Sequence, residues 1–446
     1  MSDELQELIE DVVEAEEAHA DRKDIQHLLG DQEPEELALL LESLPVEQRV
    51  DVWRKLPADK QLDVLVAMRA DPRERILDDL SREETDTLLT DLDAEDLLEL
   101  AESLSPRMVE RALTRMDTQQ QEWFHSAQKY PEDQAGHWVD HELILLPQNA
   151  RVRDALRALR REQPEYCDTI FLINRAGQFA DLVKIANLWQ QPDHVPLADL
   201  TEDDCDEILA TEDAVDAAMK VQKSGLAALP VVDEQRKLLG RMDIGTACEL
   251  VNEYYEGQLM AAAGMDEDED LFAPVTKSAQ GRAVWLGINL LTAFAASWFI
   301  GLFEDTLQQV VALAVLMPIV ASMGGIAGSQ TLTLMIRGLA LNQITDANFM
   351  ALLKKELAVG GLNGLIWAAV IGLIAWVWFG SPMIGVVIAL AILINILAAA
   401  LSGVVIPMIL DRLKIDPALS GSVILTTVTD IVGFVAFLGL GTLFLL

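Results

Sequence analysis

The sequence predicts a multidomain fold in four parts: an all-α domain of superhelical helical repeats, an α/β region made of two copies of one βαββα unit, a connector helix, and a five-helix α transmembrane domain. Three observations carry this reading. An apolar residue recurs every twelve positions from 44 to 116, two stretches repeat at an offset of 59, and five long apolar runs follow position 283.

Charge divides the chain in the same way. The formal net charge is −39 over 446 residues, yet the part from 283 onward holds seven acids and five bases, leaving about −37 in front. So acidic a front repels nucleic acid, which excludes a DNA-binding protein, and attracts metal ions and basic surfaces. Cys167, Cys205 and Cys248 are isolated, with no CxxC or Cys/His zinc spacing, and read as reduced thiols. All six histidines lie at or before His194, so the membrane half has none for a metal or catalytic site. The start, MSDELQELIEDVVEAEE, lacks a basic stretch followed by an apolar core, and the expectation is that no leader is cleaved there.

Residues 1–130 form the acidic N-terminal region, with repeats over about 35–128. Leu44, Leu56, Met68, Leu80, Leu92, Leu104 and Met116 fall twelve apart. Four residues before each stand Leu40, Val52, Val64, Ile76, Leu88, Leu100 and Ala112, so each unit carries one apolar stripe at helical spacing. Pro45, Pro57, Ser81, Asp93, Ser105 and Asp117 follow the units and break one helix or cap the next. Short helices of this kind bury their stripes only against neighbours, so they stack.

Two sensor-like units follow, at 131–195 and 196–256. TIFLINRAGQFADLV at 169–183 and ALPVVDEQRKLLGRM at 228–242 each read strand, polar turn, strand, and each is preceded by an amphipathic helix, near 152–162 and 213–223. This pattern resembles a cystathionine-β-synthase-type (CBS) pair, most closely in LAALPVVDEQRKLLGR. The resemblance implies binding of adenine nucleotides or metal ions and relay of occupancy to an attached domain. The Ser/Thr-x-x-Asp that usually follows the last strand is replaced by MDIGTAC at 242–248 and VKIANL at 183–188, a departure from the nucleotide-binding form that leaves ATP an open ligand. A connector at 244–282 overlaps the second unit: a helix from near Ile244 through ELVNEYYEGQLMAAAG, then the acidic run DEDED at 266–270, read as a solvated linker.

The spans expected in the membrane are 283–303, 308–336, 357–379, 383–410 and 418–446, each long enough to cross a bilayer. Lys277, Arg282, Arg337, Lys354, Lys355, Arg412 and Lys414 fall on one side, whereas Glu304, Asp305 and the uncharged GSP at 380–382 fall on the other. The positive-inside rule then places the N-terminal half in the cytosol and Leu446 outside, in a multi-pass protein of the cell membrane.

The second span places Pro318, Gly324, Gly325 and Gly328 ahead of Ser329, Gln330, Thr331 and Thr333. Pro removes a helical hydrogen bond and clustered Gly permits unwinding or close packing. That company of polar side chains suits a pore lining; a packed helix face is the alternative. The fifth span carries Asp430 near its middle. An ionised carboxylate there costs about 2.5–3.5 kcal/mol on insertion scales, and no basic residue lies at the centre of another span. Its companion is either a permeating cation or proton, or a hydroxyl of Thr426, Thr427 or Thr429 bonded to a protonated Asp.

Taken together, the twelve-residue repeats, the CBS pair, the connector, PIVASMGGIAGSQTLTLMIRGLA and DPALSGSVILTTVTDIVGF resemble, in order, the MgtE family of magnesium channels over nearly the whole chain. The resemblance implies a homodimer with five spans per subunit in the lipid bilayer, no enzymatic activity, and Mg²⁺ as both transported and regulatory ion. It implies that Asp430 holds hydrated Mg²⁺ in a pathway lined by the second and fifth spans, with Thr426, Thr427, Gly324, Gly325, Gly328 and Gln330 around it. It also implies closure by cytosolic Mg²⁺, with Asp93, Asp243, Glu249, Glu253 and Glu256 as candidate regulatory ligands. Two departures are visible: the family's GGNAG has Ile326 in place of Asn, and Gly245, Thr246 and Cys248 replace acids at the end of the second CBS unit. Three other classes fit parts of the pattern. An intramembrane aspartyl protease would want two carboxylates, a coupled exchanger would need Na⁺ or H⁺, and a membrane-tethered scaffold would leave Asp430 without a role.

Overall fold

The computed structural model describes residues 2–17, 22–90, 92–161, 164, 166–201, 205–265, 269–341 and 343–446. Two compact units result, one of Met1–Glu256 with Asp268–Pro274 and the other of Gly257–Glu267 with Val275–Leu446.

The first unit opens with ten helices: α1 (Ser2–Glu17), α2 (Arg22–Gly30), α3 (Pro34–Glu42), α4 (Val46–Trp53), α5 (Gln61–Ala67), α6 (Ala70–Asp79), α7 (Arg82–Leu88), α8 (Ala94–Leu100), α9 (Pro106–Arg115) and α10 (Thr118–Ala127). Seven of the eight from α3 onward begin on the twelve-residue period, at 34, 46, 70, 82, 94, 106 and 118. The stripe residues Leu40, Leu44, Val52, Val64 and Leu100 are buried in one core with Trp53 and Phe124. Alternate helices pack together, α3 on α5, α4 on α6 and α8 on α10, which is how stripes on successive short helices share one core. The stops work as their chemistry requires. Ser81 forms a capping box with Glu84, and the Asp93 and Asp117 carboxylates accept backbone N–H groups at the starts of α8 and α10. Helix α5 departs from the period and starts at 61, because Pro57 to Lys60 form a turn in which Lys60 Nζ donates to the carbonyls of Gly30 and Gln32 at 2.8 and 2.5 Å.

The CBS pair follows. Strand β1 (Leu145–Pro147), helix α11 (Val152–Ala158), strands β2 (Thr169–Ile173) and β3 (Phe179–Lys184) and helix α12 (Ile185–Leu188) make the first copy. Strand β4 (Ile208–Leu209), helix α13 (Ala214–Ser224), strands β5 (Ala228–Val232) and β6 (Leu238–Asp243) and helix α14 (Ile244–Ala262) make the second. Each sheet has three strands, the first parallel to the second and the second antiparallel to the third. The offset of 59 reaches fine detail: the bulge after Leu172 recurs after Val231, and the turn with Gly177 at φ +77° recurs with Arg236 at +60°. Glycine adopts that left-handed conformation without a Cβ penalty, which Arg236 does not escape. Helix α11 stops at Ala158, short of the expected 162.

The connector reading changes at its acidic run. Residues 266–268 lie outside the described residues, but Asp270 is buried rather than solvated, held by Arg49 of α4 in two hydrogen bonds of 2.7 and 2.9 Å. Helix α14 runs to Ala262, and Gly264 then turns the chain at φ +71°.

In the second unit, five helices are long and apolar enough to cross a membrane: α15 (Val275–Gly301), α17 (Val311–Ala340), α18 (Asp346–Phe379), α19 (Pro382–Arg412) and α20 (Pro417–Leu445), with the short α16 (Glu304–Gln309) after the first. Helix α19 is the most enclosed and packs against α17, α18 and α20, whereas α15 packs mainly on α20 and buries only Ala296. Small residues permit the closest approach: a Cβ on Gly385 would lie 2.5 Å from the Gly372 carbonyl oxygen. Helix α18 starts eleven residues before the expected 357, capped at Thr345, so Lys354, Lys355 and Glu356 lie on the helix rather than in a loop.

Candidate ion pathway

Asp430 lies on α20, half-buried, and makes no hydrogen bond or ion pair with any described residue. Thr426 and Thr427 precede it by four and three residues and share its face of the helix. Their hydroxyls are already engaged: Thr426 Oγ1 donates to Ser422 O at 2.9 Å, Thr427 Oγ1 to Val423 O at 2.7 Å, and Thr429 Oγ1 to Thr426 O at 3.0 Å. Each hydroxyl could still accept from a protonated carboxyl, but among the described residues no hydrogen bond joins Asp430 to any of the three. The carboxylate stands open to a ligand.

Helix α17 is continuous through Pro318 and the glycines, so the unwinding that the sequence permitted does not occur. Its glycines divide between two faces. Gly324 and Gly328 are buried: a Cβ on the first would lie 2.2 Å from Asn395 Nδ2, and one on the second 3.0 Å from the Leu425 methyls. Gly325 has open space around it, and Ile326, Ser329 and Gln330 are exposed within the chain. The packed-face alternative therefore describes Gly324 and Gly328, while Gly325 and Gln330 remain on the accessible side.

Two polar residues of the membrane unit escaped the sequence reading. Glu356 is buried on α18, 3.4 Å from Thr331 Oγ1 and 2.5 Å from Lys355 Nζ. Asn395 is fully buried in α19 and donates from Nδ2 to Val320 O at 2.9 Å. A lone Asn in the apolar run ILINILAAA was the available signal for the second.

The five regulatory candidates do not meet at one point. Asp93 Oδ1 accepts the N–H groups of Glu95 and Asp96, and Asp243 accepts the N–H and hydroxyl of Thr246, so both close helix starts. Glu256 pairs with Arg69 at 2.6 Å on the surface, and Glu253 is exposed on α14. Burial of its carboxyl, then the charges of Asp243, Glu99 and Glu35, raise the pKa of Glu249. A second crowd surrounds Glu95, pushed up to about 8 by burial and by Asp140, Asp93 and Glu142, although His141 N–H donates to it at 3.0 Å. Burial and Asp93 likewise push Asp96 up to about 6. Among the described residues, no group of three or more His, Cys, Asp or Glu side chains is arranged to hold a metal ion.

A membrane bundle with an unpaired carboxylate inside one span, in one chain with a CBS pair and an acidic helical stack, is the architecture of an ion transporter carrying sensor modules. The divalent cation transporter model of MgtE matches residues 317–440, and the model of the MgtE intracellular N domain matches 32–133. Magnesium transporter MgtE of Bacillus subtilis is 28% identical over 356 residues, covering 78% of each chain. The protein of the same name from Thermus thermophilus is 25% identical over 355 residues, again covering 78% of each. A crystal structure of the cytosolic domain of the Mg²⁺ channel MgtE in complex with ATP is 22% identical with a TM-score of 0.48, covering 54% of this chain and 99% of that one. The chain belongs to the MgtE family.

Proposed function

We propose that this chain transports Mg²⁺ across the cell membrane as a homodimeric channel, and that cytosolic Mg²⁺ acting on the first unit closes it. The observation that carries the reading is Asp430, a carboxylate within a membrane helix with no partner among the described residues. Mg²⁺ gives up its water reluctantly and prefers one or two carboxylates plus waters. A twofold axis beside α20 would bring two copies of Asp430 to one hydrated ion. Thr426 and Thr427 add hydroxyl oxygens on the same face, their protons already committed to the backbone. Gly325 and Gln330 offer the facing wall, and Gly324 and Gly328 set how closely α17 approaches its neighbours. The sparse coverage of α15 and the open faces of α17 and α20 leave surface for lipid and a second copy.

Regulation rests on the crowded acids. Acids whose charges repel one another, as around Glu95 and around Glu249, would be relieved by a hard divalent cation, although among the described residues they are not arranged as a ready-made ligand set. An ion bound only by the compact arrangement stabilises it by linkage, and its loss lets repulsion loosen the unit. The replaced acids at Gly245, Thr246 and Cys248 bear on the number of such sites, and the altered CBS segments favour an ion over ATP. The first unit lies in the cytosol by the positive-inside rule.

The test is Mg²⁺ flux into proteoliposomes holding the purified full chain, with Mg²⁺ varied on the face that carries the first unit. Flux that follows the Mg²⁺ gradient and voltage, and falls as Mg²⁺ on that face rises, supports the proposal. Flux that requires a Na⁺ or H⁺ gradient makes the protein an exchanger; none at all rejects Mg²⁺ transport.

A further inference from the structure

Asn395 sits near the middle of α19, fully buried in an otherwise apolar environment. Its amide is enclosed by glycines of two different helices. A Cβ on Gly324 of α17 would lie 2.2 Å from Nδ2, and one on Gly433 of α20 2.6 Å from the same atom, so both positions must be glycine to admit the side chain. Nδ2 donates to Val320 O, one turn before Gly324, while the buried Oδ1 has no hydrogen-bond partner among the described residues.

A buried acceptor left unsatisfied lowers stability, so helix cohesion alone is a poor account of an amide here. An aliphatic side chain would fill the space without that cost. What the amide adds is direction: it ties α19 to a particular carbonyl of α17 and seats its edge against one residue of α20. Gly433 follows Asp430 by three residues, less than one helical turn, so whatever fixes Gly433 fixes the depth and rotation of Asp430.

We propose that Asn395 is a positioning residue for transport, setting α20 against α17 through Gly433 and Gly324 so that Asp430 presents its carboxylate to the passing ion. This rests on the reading of Asp430 as the ion ligand. Asn395 itself touches no ion.

The test uses the full chain in proteoliposomes, with Mg²⁺ flux measured alone and against competing Ca²⁺, and thermal unfolding of the same preparations. Asn395→Leu keeps the branched four-atom shape, with somewhat bulkier ends, and removes the directed contact. The expected result is an about tenfold rise in the Mg²⁺ concentration for half-maximal flux, or a comparable loss of preference for Mg²⁺ over Ca²⁺, in protein that remains folded. Gly433→Ala, which drives a methyl against the amide, should do the same, and should add nothing in an Asn395→Ala background where the clash is gone. Unchanged half-saturation and preference in Asn395→Leu would reduce Asn395 to a packing role. Should that variant fail to fold, additive effects of Gly433→Ala and Asn395→Ala on flux would overturn the proposal equally. Asp430→Asn is run in parallel: flux indifferent to it would reject the ion-ligand reading, a failure distinct from that of the positioning role.

Discussion

Asp270 and Asp430 are the same residue in opposite circumstances. Asp270, in the first unit, is buried against the guanidinium of Arg49, which is itself fully enclosed and donates further to the carbonyls of Leu41, Glu42 and Leu44. The carboxylate of Asp270 and the guanidinium of Arg49 are each other's counterpart. Asp430, in the membrane unit, is offered no basic side chain and no hydroxyl proton among the described residues. On the proposed reading, the difference separates a carboxylate used for cohesion from one reserved for a ligand: a permanent partner makes a lock, and its absence would leave a site that an ion can enter and leave.

If that distinction is right, breaking the lock should be the most damaging change to the first unit. Arg49→Ala strands Asp270 without its counter-charge and should destabilise the unit by about 3–5 kcal/mol, read from denaturant unfolding of the full chain. Replacing both partners with apolar residues should recover much of the loss. A small effect of Arg49→Ala would mean that water reaches Asp270 readily and that the two acids differ less than their surroundings suggest.

Glu95 sharpens the comparison from another side, as an acid of the first unit crowded by like charge. Its folded pKa of about 8 lies above the 4.5 of a free glutamate, so the folded state holds the extra proton between those limits. Stability from this group is present below pH 4.5 and is lost as pH rises toward 8. Surface contact at Glu95 weakens the size of the effect through solvent screening but not its sign. Glu95→Gln should therefore flatten the fall in unfolding midpoint across that window. Some slope should remain, because Asp96, Asp140 and Glu249 are raised too, while His141, lowered to about 4 by burial, acts oppositely as pH falls below 6.5. An unaltered slope in the variant would place the proton elsewhere.

Asp93 gives a smaller and more diagnostic effect. As the cap of α8, its change to Ala should cost about 1 kcal/mol without any divalent ion present, and Asp93→Asn should restore most of that. If Asn restores stability but not the response of flux to cytosolic Mg²⁺, the residue serves both as cap and as ion ligand. Least affected should be the exposed pair of Arg69 with Glu256, where Arg69→Ala should change stability by no more than about 1 kcal/mol.

The features legible in the sequence were those written as local periods. The helical stack followed from a stripe every twelve residues, and the paired sheets from a repeat at 59 that extends even to a bulge and a left-handed turn. Asp430 stood out because a charge in an apolar run is visible without a partner. What stayed hidden depended on distance along the chain or on a neutral side chain. Arg49 and Asp270 are 221 positions apart, and nothing in DEDED marks Asp270 for burial. Asn395 carries no charge, and its meaning lies in glycines on two other helices. Lys354, Lys355 and Glu356 read as a loop because charge marks a span's end, whereas the helix runs past them and buries only Glu356. Asp93 was legible as a helix stop or cap from its place in the twelve-residue period, whereas the capping role of Asp243 appears only once the start of α14 is fixed.

The central claim is that Asp430 is unpaired because it serves a passing Mg²⁺. It is tested most directly by Mg²⁺ flux through the purified wild-type and Asp430→Asn proteins, matched for folding and reconstituted in parallel. The account predicts a fall of about 100-fold or more in the variant, with assembly and thermal unfolding unchanged, because the amide keeps the shape and removes the charge. Flux and Mg²⁺ preference that persist in Asp430→Asn would contradict it.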